Sequence, residues 1–316
     1  MKPMGEREDS REVDLNAAPR TALQLLHAYE AMRNALPVAR CPARWVRGDD
    51  LASLTDRYSA FFFDAFGVLN IGDTPIPGAA ERLVNLRRAG RRIVVVSNAA
   101  SVPPRALAAA YQAMGFELEP HEIVTSREAM GVFLQRSSPR LWGVVAPPGA
   151  QLDDLPCRMV HLGEMPHALD QVEGFILLSS LDKDTDAKER LAHALRMRPR
   201  PVLVANADLA APREDGFSVE PGYLARWLTR TASRSPTYFG KPFPPIFELA
   251  LQRLGPGVAP QQVLMVGDTL HTDVLGGAHA GLHTALVVRY GVSAELDWAA
   301  AVAHTGIVPD HVIDHI

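Results

Sequence analysis

The chain is poor in cysteine: Cys41 and Cys157 are its only two, and they lie far apart. Such a pair makes neither a disulfide framework nor a thiolate metal knuckle, so both are read as reduced thiols. Positive charge is not in excess either. The 32 Lys and Arg residues face 36 Asp and Glu, giving a formal net charge of −4 and no basic face for nucleic acid. Long apolar runs are missing, none approaching the roughly 20 residues that a membrane helix requires. The opening stretch MKPMGEREDSREVD is charged and lacks the apolar core of a leader peptide. These absences point to a cytoplasmic protein without nucleic-acid or membrane partners.

What is present is 316 residues, 47% hydrophobic and 22% charged, enough for two globular domains. Residues 1 to about 20 read as a loosely attached lead. From Thr21 to Leu36 the residues Leu23, Leu25, Leu26, Tyr29, Met32 and Leu36 fall at helical spacing and predict an amphipathic helix. Its stripe has two destinations, the main domain or a second subunit, so a homodimer stays open.

Beyond this prelude, continuous apolar strands alternate with helices. AFFF at 60–63, IVVVS at 93–97, LWGVVA, GFILLSS and PVLVAN between about 141 and 206, VLMVGD at 263–268 and TALVVR at 284–289 are the strands. Helices are expected over Ala106–Met114, Asp186–Arg196 and Ile246–Leu254. This pattern predicts an α/β fold with a parallel sheet covered on both faces. In such folds ligands bind in the loops at the carboxyl ends of the strands. Asp64, Ser97 with Asn98, and Asp268 stand at such ends, with Asp273 five residues on in GDTLHTD. Lys241 sits in the Gly-Lys-Pro turn of YFGKPFPP.

Each of these residues alone reads as an ordinary turn or surface residue. Together they suit one chemistry. Two acids meeting at a sheet edge suit a hard divalent cation such as Mg²⁺, and a hydroxyl, backbone amides and a lysine beside it suit a phosphate. A free carboxylate there can act as a nucleophile and form an aspartyl-phosphate.

The order of these motifs resembles the haloacid dehalogenase superfamily, and more closely its class IIA branch of p-nitrophenylphosphatase-like and pyridoxal-phosphatase-like enzymes. The resemblance is carried by FFFDAFGVL, PIPGAAERLVNLRRAGRRIVVVSNAAS, VLVANADLAAP, YFGKPFPPIFELAL and VLMVGDTLHTDVLGGAHAGLHTALVVRYGV, across about 60–292. It implies a doubly wound, Rossmann-like core over 59–124 and 237–316, an inserted α/β cap over 125–236, and residues 1–58 as an N-terminal extension. It implies a Mg²⁺-dependent phosphatase acting on a small phosphorylated metabolite. Asp64 would be nucleophile and metal ligand, with the Phe66 carbonyl, Asp268 and Asp273 completing the metal site. Ser97, Asn98 and Lys241 would bind the phosphoryl group, and Asn206 and Asp208 of the cap the substrate, with Arg213 and Tyr223 following them. One departure matters: Phe66 stands where the family's phosphatases carry an aspartate that serves as acid and base.

Two other readings stay open. DAFG resembles the DAYG of metal-free 2-haloacid dehalogenases, but Asp268 and Asp273 argue against them, since naked carboxylates would repel the nucleophile. A phosphate-binding regulatory protein with little turnover would explain Phe66. Among the histidines, His161, His167, His193, His279, His311 and His315 show no ligand spacing and read as bland. His271, between Asp268 and Asp273, reads as a neighbour of the metal site, an exposed residue, or a substitute acid.

Overall fold

A computed structural model of the chain describes residues 17–316 apart from Pro139 and Asp215. The charged lead therefore lies largely outside the described residues. The principal sheet has seven strands, in the order Val46–Arg47, His311–Ile313, His283–Val287, Val263–Gly267, Ala60–Phe63, Arg92–Ser97 and Ile123–Thr125, all parallel. Alternation along its central strands makes two cores. Phe61 and Phe63 point with Ile93, Val95, Leu264 and Val266 into one, and Phe62 with Val94, Val96, Val263 and Met265 into the other. A strand buried on both faces needs apolar residues at every position, which is why AFFF and IVVV show no polar alternation. Burying one such phenylalanine contributes about 1.5–3 kcal/mol.

The second sheet is also all parallel, in the order Thr237–Tyr238, Val202–Val204, Gly174–Leu177, Leu141–Val145 and Arg158–His161. One of its faces packs on its own helices, through Val145, Phe175, Leu177 and Leu195. The other joins Trp142, Val144, Ile176 and Leu203 to the core beneath the principal sheet. The architecture is thus a Rossmann-like α/β core with an inserted cap. The sheets divide differently from the expected 125 and 236. Helix Ser126–Arg136 packs on helix Pro244–Leu254 beside the principal sheet, and Thr237–Tyr238 pairs with the cap strand Val202–Val204.

The first 58 residues are less separate than expected. Val46–Arg47 pairs with His311–Ile313 as an edge strand. The helix expected over 21–36 runs Ala22–Glu30, capped by the Thr21 side chain, and a short turn Arg33–Ala35 follows. Leu36 is already extended, as the residue before Pro37 must be. The apolar stripe packs on the chain itself, against Leu209 and Ala210 of the cap and Leu270, Val274 and Leu275 of the core.

Candidate active site

Strand ends bring the chemistry together. Asp64 follows the Ala60–Phe63 strand, and its amide extends the ladder to the Val266 carbonyl at 2.9 Å. Asp64 Oδ1 accepts from the Ala65 amide at 2.6 Å and from Lys241 Nζ at 2.5 Å. Asp268 follows the adjacent strand Val263–Gly267, with Oδ2 accepting from the Val292 amide at 2.6 Å and Oδ1 from the Thr269 hydroxyl at 2.7 Å. A Cβ at Gly67 or Gly291 would collide with Asp268 Oδ2, and both residues have positive φ, +82° and +66°. Glycine is required at both points for the loops to close around this carboxylate.

Asp273 reaches the same place from a wide turn over Leu270–Val274, in which the Val274 amide bonds back to the Thr269 carbonyl five residues earlier. Such wide turns recur at functional sites because they re-aim side chains within a helix. Asp273 Oδ2 accepts from the Thr269 amide, while its buried Oδ1 pairs with Lys241 Nζ at 2.9 Å. One oxygen from each of Asp64, Asp268 and Asp273 lies within 4.8 Å of the others.

The electrostatics follow from this crowding. Burial, and then the charge of Asp273, push the Asp64 carboxyl up to about 7 despite Lys241. Burial and the charges of Asp64 and Asp273 hold Asp268 well above the usual carboxylate range. Burial works against the charge on Lys241, yet Asp273, Asp64 and Asp208 together hold it above an ordinary lysine. Lys241 pairs with Asp64 and Asp273 and offsets only part of the negative charge that the three acids carry when ionised. An all-oxygen cluster of three carboxylates suits a hard divalent ion.

Above the acids opens a cavity of about 320 Å³ between core and cap, lined by Asp64, Phe66, Ser97, Asn98, Lys241 and Asp268 among others. Ser97 ends the strand Arg92–Ser97, where its Oγ accepts from the Ala99 amide. Asn98 accepts from the Lys241 amide at 2.7 Å and donates to the Lys241 carbonyl and to Asp208 Oδ1. Asp208 thereby ties the cap to the loop that carries Lys241. Burial pushes the Asp208 carboxyl up to about 8, with Asp64 adding to the effect and Lys241 opposing it. Asn206 also lines the cavity, but its side chain closes the local turn, accepting from the Asp208 amide and donating to Glu220.

Arg213 and Tyr223, which follow Asn206 and Asp208 in sequence, part company. The Arg213 guanidinium lies over the Phe66 ring, 4.7 Å from its centroid, and is held by Ser218 and Glu220. Tyr223 is buried in helix Pro221–Ala232, its ring beneath Lys188. His271 is neither exposed nor aimed at the cavity. It is buried, stacked on Tyr29 with ring centroids 5.1 Å apart, and its Nε2 lies 2.6 Å from Glu30. Burial pushes it down to about 4 against the opposing effect of Glu30, so near neutrality it is a neutral ring that donates to the carboxylate. As a proton donor to a substrate it is excluded by its place. His311 is not bland either: it starts the strand His311–Ile313, buried, with its ring against the Tyr58 hydroxyl at 2.7 Å. Sequence reasoning missed Leu25 and Tyr29 of the N-terminal helix, which both line the cavity. Their helical periodicity marked a buried face but not what covers it.

Comparison with known proteins agrees with this geometry. A model of haloacid dehalogenase-like hydrolases matches residues 61–152, and a second, HAD-hydrolase-like model matches residues 238–316. Human glycerol-3-phosphate phosphatase is 31% identical over 288 residues, covering 80% of this chain and 87% of its own. Human chronophin is also 31% identical, over 296 residues, covering 88% of this chain and 97% of its own. Among solved structures, a possible sugar phosphatase of the same superfamily from Cytophaga hutchinsonii superposes with a TM-score of 0.75. It shares 27% identity, covering 86% of this chain and 98% of that one.

Proposed function

The chain belongs to the haloacid dehalogenase-like hydrolases, and on that premise we propose that it is a Mg²⁺-dependent phosphatase of the class IIA branch, acting on a small phosphorylated metabolite. The observation that carries the reading is the cluster of Asp64, Asp268 and Asp273, two of them paired with the buried Lys241, beside the interdomain cavity. The relatives named above as phosphatases support a phosphate ester as the substrate.

Asp64, Asp268, Asp273 and the Phe66 carbonyl would hold the metal, which when bound would offset charge on the phosphoryl oxygens and on the acids. Lys241, Ser97 and the Asn98 amide would orient the phosphoryl group. An Asp64 oxygen attacks phosphorus, the bond from phosphorus to the leaving oxygen breaks, and that oxygen departs with the electron pair. Water then attacks the phosphorus of the aspartyl-phosphate, which frees Asp64 and inorganic phosphate. Asp208 acts through Asn98 and is a positioning residue for the Lys241 loop.

Phe66 sets the limits of this chemistry. Phenylalanine has no titratable group, and its ring lies under the Arg213 guanidinium. General acid–base help contributes about 10²–10⁴-fold, and nothing at this position supplies it. Aryl and acyl phosphates, whose leaving groups are weak bases, would turn over, alkyl phosphates poorly, and water would clear Asp64 slowly. The same observation favours the second reading, a phosphate-binding protein with little turnover. A screen of phosphorylated metabolites with Mg²⁺ or with EDTA tests both. Mg²⁺-dependent phosphate release supports the phosphatase, and tight binding without release supports the binding protein.

A further inference from the structure

The helix Ala22–Glu30 lies outside both matched family regions, which begin at residue 61 and end at 316. It nonetheless reaches the site. Its buried face, Ala22, Leu25, Leu26 and Tyr29, shares one core cluster with Leu209 and Ala210 of the cap and with Leu270, Val274 and Val292 of the catalytic domain. Tyr29 is the point of closest engagement. Its ring stacks on His271, in the turn between Asp268 and Asp273, and its hydroxyl accepts from the Leu209 amide at 3.3 Å, next to Asp208. Glu30 fixes the same histidine from the neighbouring position. One helix thus grips both halves of the cleft.

Leu25 and Tyr29 also line the cavity that holds Asp64 and Lys241. Leu25 offers an apolar wall. Tyr29 is almost wholly buried, and among the described residues its hydroxyl acts only as an acceptor, from Leu209, which leaves its proton to donate. A buried phenol keeps its proton, so it can give a hydrogen bond without giving up the hydrogen.

We infer that the N-terminal helix is a specificity element of the active site: Leu25 limits the bulk of the substrate's organic portion, and the Tyr29 hydroxyl donates a hydrogen bond to an oxygen of that portion. The inference deepens the phosphatase reading and rests on it. The substrate class is a compact phosphate ester whose organic part carries an oxygen near an apolar face. Leu25 stands at the wall of this cavity, and in an apolar pocket one added or missing carbon group changes selectivity about 10- to 200-fold.

The test compares phenyl phosphate with 1-naphthyl phosphate, and 4-hydroxyphenyl phosphate with phenyl phosphate, in the full chain with Mg²⁺. Leu25→Ala, with Leu25→Val as the milder variant, should raise the naphthyl-to-phenyl ratio of kcat/KM about tenfold. Tyr29→Phe keeps the ring on His271 and removes only the hydroxyl. It should raise KM for the hydroxylated ester about three- to tenfold relative to phenyl phosphate, with kcat changing less. A purely structural helix would lower all substrates alike, and unchanged ratios in folded variants overturn the inference. If the unmodified protein hydrolyses none of these esters, the phosphatase reading fails by itself. The helix is then judged by calorimetric binding of phenylphosphonate and 1-naphthylphosphonate, where Leu25→Ala must still shift the preference towards the larger ligand or the inference is wrong.

Discussion

The guanidinium of Arg213 lies 4.7 Å above the centre of the Phe66 ring, so a cap residue caps the one side chain that departs from the expected chemistry. Arg213 is held from behind by Ser218 and Glu220 and enters the cavity from the strand Ala210–Arg213. A cation over an aromatic face is a stable pairing. A carboxylate at position 66 would meet the same cation and be kept ionised by it.

The first prediction follows from that pairing. Phe66→Asp should raise kcat/KM on alkyl phosphates, but by less than the 10²–10⁴-fold of full general acid–base help, because Arg213 holds the new acid deprotonated. Adding Arg213→Gln should raise the alkyl rate further. Measuring both variants across leaving groups of graded pKa decides the point, and a double variant no better than the single one contradicts it.

Asp268 carries the second prediction. Asp268→Asn keeps the size that Gly67 and Gly291 accommodate and removes one charge from the cluster. Hydrolysis should fall by about 10²–10³-fold, and the far-ultraviolet spectrum should not change. Activity that survives the substitution, or that survives EDTA in the unmodified protein, removes the acids from the metal site.

The pH dependence of stability gives the third. Asp64 and Asp208 have folded values raised to about 7 and about 8, so the folded protein binds more protons than the unfolded chain above the ordinary carboxylate range. The contribution of these two acids to the stability of the metal-free protein therefore falls as pH rises from about 4 through 8. Mg²⁺ should offset most at the upper end, where the acids are charged. Calorimetric Tm at pH 5 and pH 8.5, with Mg²⁺ and with EDTA, reads this directly, and a Mg²⁺ increment that is larger at pH 5 has the wrong sign.

Asp208 supplies the fourth. Its side chain bonds Asn98, whose amide group holds both the amide and the carbonyl of Lys241. Asp208→Ala should lower kcat by up to about tenfold on every phosphate ester alike, the cost of one hydrogen bond. Asp208→Asn, which can still accept from Asn98, should restore most of it. If Asp208→Ala reorders substrates and leaves the small aryl phosphate untouched, Asp208 contacts substrate and does not position the lysine.

Much of this arrangement was legible in the chain because the local signals are strong. Unbroken apolar runs ending at Asp64, Ser97 and Asp268 place those residues at one sheet edge whatever the rest of the fold does. The shortest strands were less readable: Val46–Arg47, Thr237–Tyr238 and His311–Ile313 are two or three residues long, too short to show a run. Contacts across the fold were not readable at all. Glu30 finds His271 across 241 positions, and Asp208 finds Asn98 across 110. In sequence a histidine between two acids reads as a neighbour of the metal site, an exposed residue or a substitute acid. Only a neighbour from the N-terminal helix turns it into a buried, neutral prop.

The central claim is that Asp64 takes the phosphoryl group and that, with Phe66 beside it, water clears it slowly. Stopped-flow release of nitrophenolate from p-nitrophenyl phosphate, with Mg²⁺ and enzyme at a known concentration, tests this most directly. The account predicts a burst approaching one nitrophenolate per chain followed by a slow steady rate, with both phases absent in Asp64→Asn. Linear release from the first turnover, or an undiminished burst in Asp64→Asn, would contradict it.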